Sequence, residues 1–234
     1  MSEVFSAVAT AVELVVRLDP DLVEIVALSL KVSLSAVLIA ALVGLPLGAA
    51  VALVKFPGRR GAVILLNAAM GLPPVVVGLV VYLLLSRAGP LGELGILFTP
   101  AAMVIAQSIL ITPIIAALTR QTISDLHEEY DEYLCSLGAG HLQRITTLLW
   151  DGRFRLLTGL LAGFGRASAE VGAVIIVGGN INHVTRVMTT TIALETSKGN
   201  LNLALALGIV LIILAASVNA AAVLIGDAAS KRYG

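Results

Sequence analysis

Residues 32–54 read VSLSAVLIAALVGLPLGAAVALV, a run without a charged side chain. At about 1.5 Å per residue, a helix of that length covers a hydrocarbon layer of roughly 30 Å. The apolar character reaches back to about residue 25, giving a first span at 25–54, and four more runs follow at 62–85, 97–118, 156–177 and 203–225. Unbroken runs of this kind specify helices, because a membrane strand shows shorter, alternating segments. Composition agrees: of 234 residues 58% are hydrophobic and 13% charged, with a mean hydropathy of +1.00. The expectation is an all-α integral membrane protein of five transmembrane helices, one domain over residues 1–234 embedded in a lipid bilayer.

Residues 1–20 differ from a signal peptide, since they open on Glu3 rather than a basic residue and Glu13 interrupts the apolar run. Val4, Val8, Ala11, Val12 and Val15 recur at helical spacing, which predicts an amphipathic helix with that face on the membrane surface. Basic residues set the orientation. Lys55, Arg59, Arg60, Arg120, Arg144, Arg153, Arg155, Lys231 and Arg232 fall on one side of the five spans, against Arg17, Lys31, Arg87, Arg186 and Lys198 on the other. The richer side is read as cytoplasmic, placing the N-terminus outside and the C-terminus inside. Formal net charge is zero, and nothing in the composition points to nucleic acid. Cys135 is the single cysteine, so no internal disulfide can form, and a loop position is expected. His127, His141 and His183 lack the spacing of a metal site, and no nucleophile is accompanied by a base and orienting partner, so neither a metal nor a catalytic residue is assigned.

Between the third and fourth spans, residues 120–155 read RQTISDLHEEYDEYLCSLGAGHLQRITTLLWDGRFR. Ile123, Leu126, Tyr130, Tyr133, Leu134 and Leu137 continue a helical stripe until Gly138–Gly140, and His141–Trp150 suits a second short helix. The segment is expected to form helix, glycine turn and helix on the cytoplasmic face. A plain solvated loop is the alternative, with Glu132 an ordinary capping carboxylate.

Two charges lie inside the fourth span, Arg166 and Glu170 in GFGRASAEVGAV (163–174). On a continuous helix they share a face, four residues apart, and pairing lowers a cost of about 2.5–3.5 kcal/mol per isolated charge. Two readings stay open, a structural ion pair or an arginine that offers an anion its planar fork. Gly71, Pro73 and Pro74 in GLPP disturb the second span, either as a kink or as a break lining a cavity, and Thr112 and Pro113 repeat the theme in the third. The glycines of GLPLG (44–48) and GLLAG (159–163) suit close helix approach.

DEYLCSLGAGHLQRITTLL (131–149) resembles the cytoplasmic coupling loop of binding-protein-dependent ABC transporter permeases, with Glu132 and Gly138 matching its glutamate and glycine. Tyr133 and Leu134 replace the family's two alanines, and Asp151 stands where a proline closes the motif. FPGRR (56–60), GLPPVVVGLVVYLLLSRAGPLG (71–92), GFGRASAEVGAVIIVGGNI (163–181) and TTTIALETSKG (189–199) together resemble tungstate permease subunits and, more loosely, those for molybdate and sulfate. This likeness implies a type I ABC importer permease fold and a non-catalytic subunit. It implies a homodimer that works with a cytoplasmic ATPase dimer and an extracytoplasmic oxyanion-binding protein. It assigns ATPase coupling to Asp131, Glu132, Leu137, Gly138 and Ala139. The pathway would run past Gly71, Pro73, Pro74, Thr112, Pro113, Arg166, Glu170, Asn180, Thr185, Thr189 and Thr190. No lysine follows a glycine in the sequence, so no phosphate loop is present, and ATP with Mg would be used by the partner chain. A secondary transporter using Arg166 and Glu170 as a relay is the remoter alternative.

Overall fold

The structure, a computed structural model, describes residues 2–17 and 19–233. Its helices are α1 (Ser2–Val16), α2 (Pro20–Leu53), α3 (Arg59–Ala69), α4 (Pro74–Leu85), α5 (Pro100–Ser136), α6 (His141–Asp151), α7 (Arg153–Ser168), α8 (Gly172–Gly178), α9 (Met188–Ser197) and α10 (Leu201–Tyr233), with a 3-10 turn at Gly92–Leu94. No strand occurs among the described residues. Three helices, α2, α5 and α10, are long and apolar enough to cross a membrane, and counting α3 with α4 and α7 with α8 as interrupted spans makes five.

The helix boundaries refine the expected spans and correct the placement of Cys135. The second span breaks at residues 70–73, where Pro73 and Pro74 supply no amide for the helix ladder. The fourth does not continue from 156 to 177: α7 stops at Ser168 and α8 starts at Gly172. Helix α5 carries on past the apolar run that ends near 118 and reaches Ser136; the change from apolar to charged residues at Arg120 marks a change of solvent, which a helix can pass through. Cys135 therefore sits in the last turn of α5, exposed, rather than in a loop. Pro46 and Pro113 lie inside α2 and α5 without ending either helix.

The chain divides into two compact units, Met1–Ala36 with Pro73–Gln107 and Ala167–Ala220, and Val37–Leu72 with Ser108–Arg166 and Ala221–Gly234. In the second, glycines bring helices onto α5. A β-carbon at Gly48 would overlap the Ala116 carbonyl and lie 2.8 Å from Thr119 Cβ; one at Gly163 would lie 3.2 Å from Ile115 Cδ1. Both small-residue motifs thus do what their spacing suggests. Ala49, Ala52, Leu53, Ile123, Leu126, Leu134 and Leu148 form this unit's core, joining α2, α5 and α6. The Arg59 guanidinium donates to the carbonyls of Val51 (2.8 Å) and Ala52 (2.6 Å), satisfying the end of α2 where the chain turns through Phe56–Gly58.

In the first unit α4 and α8 lie in direct contact: a β-carbon at Gly78 would be 2.7 Å from Ala173 Cα. Val77, Val81 and Leu85 of α4 and Ala173, Val174 and Val177 of α8 are buried. A second apolar cluster joins Leu22 of α2, Met188 of α9 and Leu207 of α10, and the Met188 N–H donates to Ser29 Oγ at 2.8 Å. Helix α1 packs through small residues, with Ala7 and Ala11 buried while Val8, Val12 and Val15 are exposed. Val4 lies outside the residues whose side chains are described. The helical periodicity expected of α1 holds, with Val8, Val12 and Val15 facing outward as a membrane-facing side requires, while Ala11 of that expected face packs inward; where lipid is as apolar as the interior, hydrophobicity does not select the packed side.

Candidate functional site

The interruption between α7 and α8 is stitched closed by side chains. Backbone carbonyls at the end of α7 and amides at the start of α8 would otherwise be stranded where the ladder stops, at a cost of a few kcal/mol each in an apolar setting. Gln107 Nε2 donates to the Ala167 carbonyl (3.1 Å). The Thr189 hydroxyl donates to the Glu170 carbonyl (2.8 Å). Glu170 Oε1 accepts the Ala173 N–H (3.0 Å), so its carboxylate caps the start of α8. Glu170 is 3% exposed and Gln107 4%. A helix start already filled by a carboxylate is a poor place for a dianion, since the two negative charges would repel. Glu170 is therefore a building element of the break. Arg166 lies half-buried in the last turn of α7, so the continuous helical face that the sequence suggested for the two charges is replaced by a helix end between them.

The second break begins at Gly71, exposed, and restarts at Pro73 and Pro74, with Val76 and Val77 both donating to the Pro73 carbonyl (3.0 and 3.1 Å). The helices leaving the two breaks start side by side, because a β-carbon on Gly172 would be 3.0 Å from Val75 Cγ2. Thr112 is half-buried and donates to Ser108 O at 2.6 Å, one turn before Pro113, which satisfies a side chain next to a residue that cannot continue the ladder.

The hydroxyl-rich segment after α8 is ordered by its own side chains. Thr185, fully buried, donates to Gly178 O and accepts the Ile181 N–H at 2.9 Å. Thr190, also fully buried, bonds within the first turn of α9 to Val187. With Thr189 spent on the Glu170 carbonyl, the protons of all three threonines go to backbone acceptors. Asn180 and His183 take left-handed conformations, at φ 49° and 56°. Gly179 (φ 72°) faces Phe98, whose ring would lie 2.9 Å from a β-carbon there, and the Phe98 N–H donates to Val177 O at 3.0 Å.

At the other motif, α5 ends in a glycine C-cap: Gly138 has φ 67°, and the Ala139 N–H returns to Leu134 O at 3.1 Å. The Gly140 N–H donates to Gln143 Oε1 (2.9 Å), opening α6. Arg144 fastens the turn, donating from Nε to Ala139 O (2.9 Å) and from Nη1 to Asp131 Oδ1 (3.3 Å). Asp131 is thus used inside the helix–turn–helix, while Glu132, Leu137 and Gly138 are exposed and Ala139 is partly covered. Tyr133 (64%), Leu137 (64%) and Leu142 (74%) flank the turn as exposed apolar side chains. Sequence reasoning missed Arg144 and Leu142; the amphipathic pattern of α6 was the available signal.

Comparison with known proteins bears on what these parts do. Residues 44–233 match the family of binding-protein-dependent transport system inner membrane components. The chain is 42% identical over 210 residues to a tungstate uptake system permease protein of Peptoclostridium acidaminophilum, covering 90% of this chain and 92% of the relative. It is 39% identical over 218 residues to a probable anion ABC transporter permease protein of Haloferax volcanii, covering 91% and 94%. A sulfate transport system permease protein of Escherichia coli strain K12 is 32% identical over 176 residues, covering 71% and 60%. The chain belongs to the binding-protein-dependent transport system inner membrane components, the multi-pass, non-catalytic subunits of ABC import systems that operate with a separate ATPase and a binding protein.

Proposed function

We propose that this chain forms the membrane route for a tetrahedral oxyanion, tungstate first, in an ABC importer. The observation that carries the reading is likeness along 90% of the chain to a relative named for tungstate uptake. The sulfate-named relative covers 71% of the chain at lower identity, which puts sulfate, with molybdate, second. A gradient-driven relay through Arg166 and Glu170 is disfavoured by the use of Glu170 as the cap of α8.

In this reading the chain is a single permease domain, and two copies meet about a two-fold axis with the route between them. They sit on a cytoplasmic ATPase dimer that uses ATP and Mg. The basic-residue count supports an outer N-terminus and an inner C-terminus. Coupling falls to Glu132, Leu137, Gly138 and Ala139. Apolar side chains exposed on a polar turn mark a protein contact, and Tyr133 and Leu142 join Leu137 there. The Arg144 clasp, through Asp131, keeps the turn stiff. Because α5 is continuous over 37 residues, motion of its end is transmitted along a rod rather than lost in a loop. The two interrupted spans supply non-helical backbone at Gly71, Pro73 and Pro74 and beside Glu170, the kind tolerated at membrane depth only where protein or water surrounds it. Arg166 contributes positive potential to the route, and Thr112, Pro113, Asn180, Thr185, Thr189 and Thr190 shape it mainly by fixing backbone.

The test is uptake by proteoliposomes holding permease, ATPase and loaded binding protein. Tungstate should accumulate only with ATP, and Leu137→Asp should lower the rate by about tenfold or more, as loss of an interface anchor does, without lowering thermal stability. Accumulation driven by an ion gradient without ATP, or sulfate preferred to tungstate, would overturn the assignment.

A further inference from the structure

Asp21 lies in the first turn of α2 and Glu24 three residues further on, so the two occupy neighbouring positions of one helix face. His183, from the turn between α8 and α9, meets them. Its Nδ1 is 2.8 Å from Glu24 Oε2, and one ligand atom from each of the three residues lies within 4.8 Å of the others. Histidine spacing gives no metal motif in the sequence, because folding brings these groups together across 159 positions.

The three side chains are exposed, but their supports are fixed. The Asp19 carboxylate accepts the Leu22 N–H at 3.0 Å and sets the start of α2. His183 is held by the Thr185 bonds to Gly178 and Ile181. Arg186, the cation lining the same small pocket, donates to Asn182 Oδ1 at 2.8 Å. The hydrogen bond and charge of Glu24, with a smaller contribution from Asp21, hold the His183 imidazole above its ordinary pKa. A simple ion pair needs one carboxylate; here a second one lies within ligand reach of the same imidazole.

We propose that Asp21, Glu24 and His183 form a binding site for a divalent transition-metal cation of the zinc class. One imidazole nitrogen and two carboxylate oxygens are the donor set zinc accepts, at about 2.0–2.2 Å, with water completing a tetrahedron. Mutual separations of at most 4.8 Å close to that geometry by side-chain rotation alone. The imidazole sets the site apart from all-oxygen sites for magnesium or calcium. An exposed three-ligand site binds at micromolar rather than structural affinity. Occupied, it would tie the start of α2 to the turn at Asn182–Val184.

The experiment is calorimetric titration of Zn²⁺ into the purified full-length protein in detergent, with Co²⁺ absorption as a spectroscopic check. Saturable binding of one equivalent per chain is expected, undisturbed by millimolar Mg²⁺. Asp21→Asn and His183→Ala should each weaken it by about tenfold or more. Asp21 is an exposed first-turn position, so its variant keeps the test valid if His183→Ala fails to fold. Absence of saturable binding, or binding unchanged in every variant that folds, would overturn the proposal and leave an ion pair only.

Discussion

Gly48→Ala should sharply destabilise the protein, although it adds one methyl group. Its β-carbon would overlap the carbonyl oxygen of Ala116 and sit 2.8 Å from Thr119 Cβ and 3.0 Å from the Arg120 backbone nitrogen. Two of these atoms are backbone, so no side-chain rotation relieves the clash and α2 must move away from α5. Overpacking of this kind costs about 1–3 kcal/mol, and rigid backbone neighbours place it at the upper end. Ala49 and Ala52, on the same stretch of α2, belong to the core with Ile123 and Leu126 of α5, so the displacement spreads. Gly61→Ala is the control: it lies in helix α3 with nothing within 4 Å of the added carbon, and should be neutral or slightly stabilising. Thermal unfolding in detergent compares the two. Equal midpoints would mean the helices do not cross at Gly48.

Replacement of Glu170 separates its two roles. Glu170→Ala leaves the Ala173 N–H without its acceptor in a buried setting, which costs about 1–3 kcal/mol. Glu170→Gln keeps a side-chain oxygen at the same reach and removes the charge. If capping of α8 dominates, the glutamine variant retains much more stability and ATP-driven uptake than the alanine variant. Equal damage in both would give control to the charge and favour the ion-pair reading of Arg166 and Glu170. Thr189→Val tests the same seam from the other side, since it removes the donor to the Glu170 carbonyl while keeping shape.

The spans were legible in the sequence because length and hydropathy alone decide what can cross a bilayer. Glycine spacing also carried through, since a missing side chain permits close approach whichever helix arrives. The break at Pro73 and Pro74 was half legible: proline removes an amide, but only the surroundings decide between kink and interruption. Nothing in SAEVG signals a helix end at Ser168. That break depends on Gln107 and Thr189, distant residues that satisfy the freed backbone, so it is a tertiary property. The bonds of the threonines were not legible for the same reason. Composition shows that Thr185, Thr189 and Thr190 carry protons to donate, and only the fold shows backbone carbonyls receiving them. The helix–turn–helix at Gly138 was legible in outline, whereas the pairing of Asp131 with Arg144, thirteen residues on, was not.

Mechanical coupling at the Gly138 turn is the claim on which the rest of the mechanism depends, and Cys135 offers direct access to it. It is the sole cysteine of the chain, exposed on the last turn of α5 three residues before the glycine. A thiol-linked benzophenone placed there in the assembled transporter should, on illumination, crosslink the permease to the ATPase subunit. Crosslinks to the binding protein instead, or thiol labelling confined to the outer face of intact cells, would contradict the account.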